Sequence, residues 1–184
     1  MPFVSGNSAL IDARPLFERV GLRVGQHVAD LGCGVTGHYI IPAARIIGGE
    51  GKAYAVDIQK SALAATESRA KLEGLTNITT VWSDLERIGA THIPAGTLDL
   101  AILSGILHLT SARTAVLRET ARLLKSGGHA LIIEWKPEAT GVGPAAAARA
   151  SREVVRTAAK AAGLTEQSTF EAGPYHYAMM FTKP

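Results

Sequence analysis

At 184 residues, 47% of them hydrophobic and 19% charged, the chain has the make-up of one globular domain rather than two domains or a disordered tail. No run approaches the roughly 18 apolar residues of a membrane span, and the opening Met1-Pro2-Phe3-Val4-Ser5-Gly6 lacks a signal-peptide pattern, so a cytoplasmic protein is expected. One cysteine, Cys33, excludes an internal disulfide or a site of several thiolates, and a net charge of +3 spread over 19 basic and 16 acidic residues is too diffuse to argue for nucleic acid.

Along the chain, short apolar runs alternate with stretches of helical period, the pattern of repeated βα units and hence of a parallel, doubly wound sheet. Ala9 to Val20 reads as helical but interrupted by Pro15, giving one or two short helices ahead of the sheet. The first strand is His27 to Leu31, followed by a helix from Tyr39 to Ile47 whose Pro42 falls in the first turn. Lys52 to Ile58 is the second strand. Ser61 is placed to cap a helix running to Gly74, and Ile78 to Trp82 is the third strand.

Leu98 to Ser104 makes the fourth strand, after which a helix is expected from Thr110 or Ser111, with Leu117, Ala121 and Leu124 on one face, to Lys125-Ser126-Gly127-Gly128. His129 to Trp135 is the fifth strand. A loop from Lys136 to about Ala145 is long enough to act as a lid, and Ser151 caps a helix that stops at Gly163. Leu164 to Glu171 and Tyr175 to Phe181, separated by Gly173-Pro174, read as a terminal hairpin.

The first strand runs into Asp30-Leu31-Gly32-Cys33-Gly34-Val35-Thr36-Gly37. Glycines in such a turn let a ligand approach the backbone closely. The spacing of Gly32, Gly34 and Gly37 also matches a nicotinamide-dinucleotide fingerprint, so a dehydrogenase stays open at this point. Asp30 weighs against it: a carboxylate repels a pyrophosphate but suits a ligand bearing an ammonium group. Asp57, followed by Ile58, ends the second strand about 20 residues on and is placed to accept hydrogen bonds from ribose hydroxyls. Ser83-Asp84-Leu85 follows the third strand, where Asp84 could receive an adenine amino group and Leu85 line the ring; a helix N-cap explains Asp84 equally well.

These segments, with Leu98-Asp99-Leu100-Ala101 and Leu123-Leu124-Lys125-Ser126-Gly127-Gly128, resemble the class I S-adenosylmethionine-dependent methyltransferases, in particular the compact ubiquinone/menaquinone-biosynthesis type. The resemblance covers about Val20 to Lys136 and extends through the terminal hairpin. It implies an α/β, Rossmann-like, doubly wound sheet of seven strands in the order 3-2-1-4-5-7-6 with the last strand antiparallel. It also implies S-adenosylmethionine as cofactor, held by Asp30, Gly32, Cys33, Gly34, Asp57, Ile58, Ser83, Asp84, Leu85 and Ser104. Residues 1–25 would form a covering segment, 26–136 the cofactor-binding core, and 137–184 a lid loop, helix and hairpin. Gly37 stands three residues after Gly34 where the family has its third glycine two after, which resembles a one-residue insertion and weakens its assignment to the cofactor.

Chemistry is expected past the fourth strand, at Ser104-Gly105-Ile106-Leu107-His108, because ligands of open α/β sheets lie beyond the carboxyl ends of the strands. A sulfonium methyl is already activated, so a base is needed only where the accepting atom starts protonated; His108 is the candidate, against a plain capping or buried histidine. Glu134, Trp135 and Lys136, with Tyr175, His176 and Tyr177 of the hairpin, are candidates for the acceptor pocket, although strand alternation could turn several of them away. Cys33 reads as packing beside the cofactor, and the other histidines show no metal-ligand spacing, so no metal is expected. The family's base-methylating members resemble one another in an Asn/Asp-Pro-Pro-aromatic turn that is missing here, which leaves a small molecule as the expected acceptor. A homodimer could complete the pocket. An NAD-dependent oxidoreductase and a non-catalytic cofactor-binding scaffold are the alternatives.

Overall fold

The computed structural model describes residues 10–139 and 141–184. The opening residues read above for a signal, and Ala9 at the start of the first helical segment, lie outside them. Helix α1 (Ala13–Val20) is followed by β1 (His27–Leu31), α2 (Ile40–Ile47), β2 (Lys52–Asp57), α3 (Lys60–Leu72), β3 (Ile78–Trp82) and β4 (Leu98–Ser104). Then come α4 (Arg113–Leu123), β5 (Leu124–Trp135), α5 (Arg152–Ala161), β6 (Thr165–Glu171) and β7 (His176–Thr182). The strands form one seven-stranded sheet in the order β3-β2-β1-β4-β5-β7-β6, with β7 antiparallel to both of its neighbours and the other pairings parallel.

Both faces of the sheet are covered, and the alternation of side chains along each strand divides the core in two. Leu98, Ala101 and Leu103 of β4, with Ala130 and Ile132 of β5, pack toward α4 and α5. Their neighbours Leu100, Ile102, Leu131 and Ile133 pack toward α1, α2 and α3. A strand buried on both faces needs apolar residues at successive positions, which is why Leu100-Ala101-Ile102-Leu103 and Ala130-Leu131-Ile132-Ile133 read as unbroken apolar runs. The strand order reverses between β1 and β4, and a crevice opens there at the carboxyl edge.

Several local expectations need correction. Pro15 does not interrupt α1: Asp12 caps the helix, accepting from Arg14 N at 3.0 Å, and Pro15 falls in the first turn, where its missing N–H has no helical partner to lose. Ser61 is not the cap of α3; the chain turns at Gln59, whose N–H is taken by Asp57 Oδ1 at 2.8 Å. Helix α4 begins at Arg113 rather than at Thr110 or Ser111, because Thr110 Oγ1 accepts from Ala112 N and holds a turn there. Leu124 ends that helix and opens β5, which pairs with β4 across an irregularity before continuing from His129. Ser151 does cap α5, accepting from Val154 N at 3.3 Å. Among the described residues no helix is long and apolar enough to cross a membrane.

Candidate active site

The carboxyl ends of β1 to β5 open on one cleft of 1280 Å³. Following the sheet order, its lining runs from Ser83, Asp84 and Leu85 after β3, through Asp57 and Ile58 at the tip of β2, to Gly32 and Gly34 of the loop after β1. It continues to Ser104 and Ile106 at β4 and Trp135 of β5 at the far end, where His108, Leu109 and Arg149 also belong to the lining.

Gly32 and Gly34 occupy left-handed backbone, with φ of 93° and 61°, and a Cβ on Gly32 would run into the Ile106 side chain. The loop is tied down by its own amides: Gly32 N and Cys33 N both donate to Val56 O, at 2.7 and 3.0 Å. Gly34 N donates to Asp57 Oδ2 at 2.9 Å, so the acid ending β2 braces the glycine loop while lining the cleft. Asp84 Oδ1 accepts from Glu86 N at 3.0 Å in a turn rather than at a helix start, so the N-cap alternative drops out. Ser83 is buried, its hydroxyl 2.9 Å from Thr91 Oγ1.

Asp30, expected at the cofactor, is buried at the end of β1 and does not itself line the cleft. It is 1% exposed, and neither carboxylate oxygen has a hydrogen-bond partner among the described residues. Burial pushes its pKa up to about 7; the backbone amide of Ile40 works the other way, and the charge of Asp57 adds to the rise. A buried carboxyl with no donor is costly, and a cation or a set of donors entering beside it would relieve that cost.

Cys33 and Gly37 do not line the cleft. The Cys33 side chain packs in the core on the α2 and α3 side, its Sγ 3.9 Å from Thr66 Oγ1. Burial, then the charges of Asp30 and Asp57, push its thiol up to about 12. Gly37 is a packing glycine: a Cβ there would meet Thr66 Cγ2 at 2.9 Å, and its carbonyl accepts from Ile41 N at the head of α2.

Tyr39, unnoticed in the sequence as a site residue, accepts a hydrogen bond from Ser104 Oγ at 3.1 Å, and burial raises its phenol well above the usual range. At the far end, His108 Nδ1 lies 3.0 Å from Glu134 Oε2, and Glu134 Oε1 accepts from Leu107 N at 2.7 Å. Glu134 is wholly buried and lies beside the turn rather than in the cleft wall.

The hairpin trio expected at the pocket is placed elsewhere. Tyr175, His176 and Tyr177 do not line the cleft. Tyr177 donates to Ala150 O at 2.6 Å, fixing the entry to α5. His176 stacks on Trp135 with ring centroids 4.1 Å apart; burial, then the charges of Lys136, Arg149 and His108, hold its imidazole down to about 4. Lys136 is paired with Glu171 and donates to Pro174 O, so it too serves the hairpin. Trp135 alone of these candidates reaches the cleft.

Described residues of the loop beyond β5, among them Ala139, Val142 and Pro144, form one wall of the cleft. Arg149 donates to the carbonyls of Lys136, Ala139, Val142 and Pro144, gathering the loop around one guanidinium. Gly143, at φ 81°, presses so close to Trp135 that a Cβ would lie 2.6 Å from the ring. No cue in the sequence set Arg149 apart, since its partners are backbone carbonyls that any residue supplies. Among the described residues no group of three or more His, Cys, Asp or Glu is placed to hold a metal ion.

A family model described as a methyltransferase domain matches residues 22–171. The chain is 28% identical over 137 residues to a ubiquinone/menaquinone biosynthesis C-methyltransferase of Marinomonas sp., covering 73% of this chain and 53% of that protein. It is 33% identical over 104 residues to a probable cobalt-precorrin-6B C(15)-methyltransferase (decarboxylating) of Methanosarcina mazei, covering 56% of this chain and 55% of that protein. The chain thus spans about half the length of these curated relatives. Among solved structures, a SAM-dependent methyltransferase from Aquifex aeolicus matches with a TM-score of 0.87 at 26% identity, over 95% of this chain and 91% of that one. A geranyl diphosphate C-methyltransferase from Streptomyces coelicolor, solved with S-adenosyl-L-homocysteine, shares the fold at a TM-score of 0.74 and 13% identity, over 94% of this chain and 78% of that one.

Proposed function

The chain belongs to the class I S-adenosylmethionine-dependent methyltransferases, and from that premise we propose that it transfers the methyl group to a small, largely apolar acceptor seated between His108, Trp135 and the wall that Arg149 organises. One observation carries the reading: Asp57 and Asp84 at the tips of β2 and β3 line a single continuous cleft with His108. At 1280 Å³ it exceeds the roughly 300–1,000 Å³ of a one-ligand pocket, leaving room for two molecules end to end.

S-adenosylmethionine fits the near end residue by residue. The partnerless carboxyl of Asp30 suits its ammonium group, and the backbone of Gly32 and Gly34 allows close approach of the amino-acid portion. Asp57 suits the ribose hydroxyls, with Ile58 beside it. Asp84 suits the adenine amino group, Leu85 lines the ring, and Ser83 keeps the turn closed through Thr91. Ser104, tied to Tyr39, lines the cleft at the tip of β4. Cys33 contributes its backbone to the loop and its side chain to the core.

The sulfonium supplies an activated methyl group, so the protein's task is alignment and exclusion of water. Leu109, Val142 and Trp135 present apolar surface to the acceptor. Arg149 has its guanidinium engaged by four loop carbonyls and serves the wall rather than an anionic acceptor. His108 serves as the base for an acceptor that starts protonated.

The test is transfer of labelled methyl from S-adenosylmethionine into an organic-extractable fraction of a cell extract by the purified chain. We expect His108→Ala to lower transfer by about 10²- to 10⁴-fold while leaving S-adenosylhomocysteine binding intact. Transfer only into protein or nucleic acid would sink the small-molecule reading, and tight cofactor binding with no transfer anywhere would favour a scaffold.

A further inference from the structure

We propose that Glu134 is a positioning residue that locks His108 as a base in one tautomer, and that the acceptor is therefore a molecule whose reacting oxygen or nitrogen carries a proton it must lose. The inference rests on the cleft assignment above and goes beyond it in naming what orients the base and what kind of acceptor needs one.

Glu134 follows the apolar run Ala130-Leu131-Ile132-Ile133 on an interior strand and is wholly buried. A carboxylate at such a place is expensive, and donors to its oxygens offset that cost. Oε1 accepts from Leu107 N and Oε2 meets His108 Nδ1, so both partners come from the turn after β4 that brings His108 into the cleft. Capping the turn needs only the Leu107 contact. The second oxygen is committed to the imidazole, and a carboxylate can only accept there, which puts the proton on Nδ1 and leaves the Nε2 lone pair as the ring's basic site.

The surroundings favour that state. His176, packed nearby from β7, is held neutral near neutral pH, with Lys136 and Arg149 beyond it, and Tyr177 pairs with Glu134 across the β5–β7 ladder. His108 thus has one fixed acceptor, the Glu134 carboxylate, at Nδ1. A base held in the correct tautomer by a buried carboxylate is the arrangement that nucleophile-activating sites use.

The step balances without a further reactant. The acceptor's O–H or N–H proton passes to His108 Nε2, the electron pair left on that atom forms the bond to the methyl carbon, and the carbon–sulfur pair returns to sulfur. The imidazolium, paired with Glu134, then releases its proton to water. An acceptor with a bare lone pair, such as a thioether or tertiary amine, would have no use for the pair of side chains.

Glu134→Gln tests this, because a glutamine can still accept from Leu107 N but must donate toward His108 Nδ1, moving the ring proton to Nε2. Nitrogen-15 NMR of histidine-labelled chain saturated with S-adenosylhomocysteine reads the tautomer directly, with His108→Ala identifying the signals. The wild type should show Nδ1–H, the Glu134→Gln variant Nε2–H with unchanged S-adenosylhomocysteine affinity, and labelled methyl transfer should fall by about 10²-fold or more. A wild-type ring protonated on Nε2 would overturn the proposal, and that measurement does not depend on the variant folding. A Glu134→Gln variant that transfers methyl like the wild type, beside an inactive His108→Ala, would overturn the positioning role alone. Full transfer by His108→Ala would overturn the base assignment itself.

Discussion

Replacing Asp30 by Asn should make the empty protein more stable and the cofactor site weaker. The carboxyl is buried with no hydrogen-bond partner among the described residues, and its pKa of about 7 compares with 3.8 when unburied. Between those values the folded chain holds a proton that the unfolded chain has released, so this group makes stability fall as pH rises from about 4 to 7. Fully ionised, it costs on the order of 4 kcal/mol. Asn removes the charge but leaves a buried amide short of partners, a cost of about 1–3 kcal/mol. The net gain at pH 8 is roughly 1–3 kcal/mol, or a Tm higher by about 2–12 °C for a chain of this size. At pH 5 the wild type is largely protonated and the gain should vanish. Thermal melts of both proteins at the two pH values read this, and calorimetry with S-adenosylhomocysteine should show binding weakened about 100-fold in the variant. Wild-type affinity should itself fall about tenfold per pH unit below 7, because the bound ammonium requires the anion. A variant that melts lower at pH 8, or that binds as tightly as the wild type, would refute the reasoning.

Arg149→Ala should release the 136–149 loop, seen as faster protease cleavage within it and a higher KM for the acceptor, with S-adenosylhomocysteine affinity unchanged; Gly143→Ala should act in the same direction through its clash with Trp135. Glu119→Ala strands the N–H groups of Gly89 and Thr91 together with Arg122, and should cost about 2–4 kcal/mol in denaturant unfolding at pH 7. Burial opposes ionisation of Glu119, but hydrogen bonds led by that from Arg122 hold its carboxyl down to about 2; its stabilising effect is complete above about 4.5 and should be lost as pH falls toward 2. Cys33, with its thiol pushed up to about 12, should resist a thiol-alkylating reagent at pH 8 until the protein is unfolded, and quick labelling of the native chain would contradict its placement.

The strands and the glycine loop were legible because they depend on local chemistry. Runs such as Ala130-Leu131-Ile132-Ile133 announce a strand covered on both faces, and a left-handed backbone at Gly32 and Gly34 asks for residues without a Cβ. Helix starts were less legible: Ser61 has the chemistry of a cap, but the aspartate ending β2 reaches the Gln59 amide and the helix begins earlier. Pro15 looked like an interruption because the cap one turn back, Asp12, was not recognised.

From the sequence alone came the fold class, through the family resemblance and the βα rhythm, and the acids at the tips of the first three strands. These are properties of single segments and of their order along the chain. Only the tertiary structure decided that Asp30 is left without a partner, that Glu134 faces His108 rather than the acceptor, and that Trp135 reaches the cleft while Tyr177 does not. The reason is physical: the acidity of a carboxyl and the tautomer of an imidazole are set by atoms brought within about 3 Å from other strands, and register along β5 and β7 fixes which side chains meet. Arg149 makes the same point, since its partners are four carbonyls, and a carbonyl carries no side-chain signature for a sequence to display.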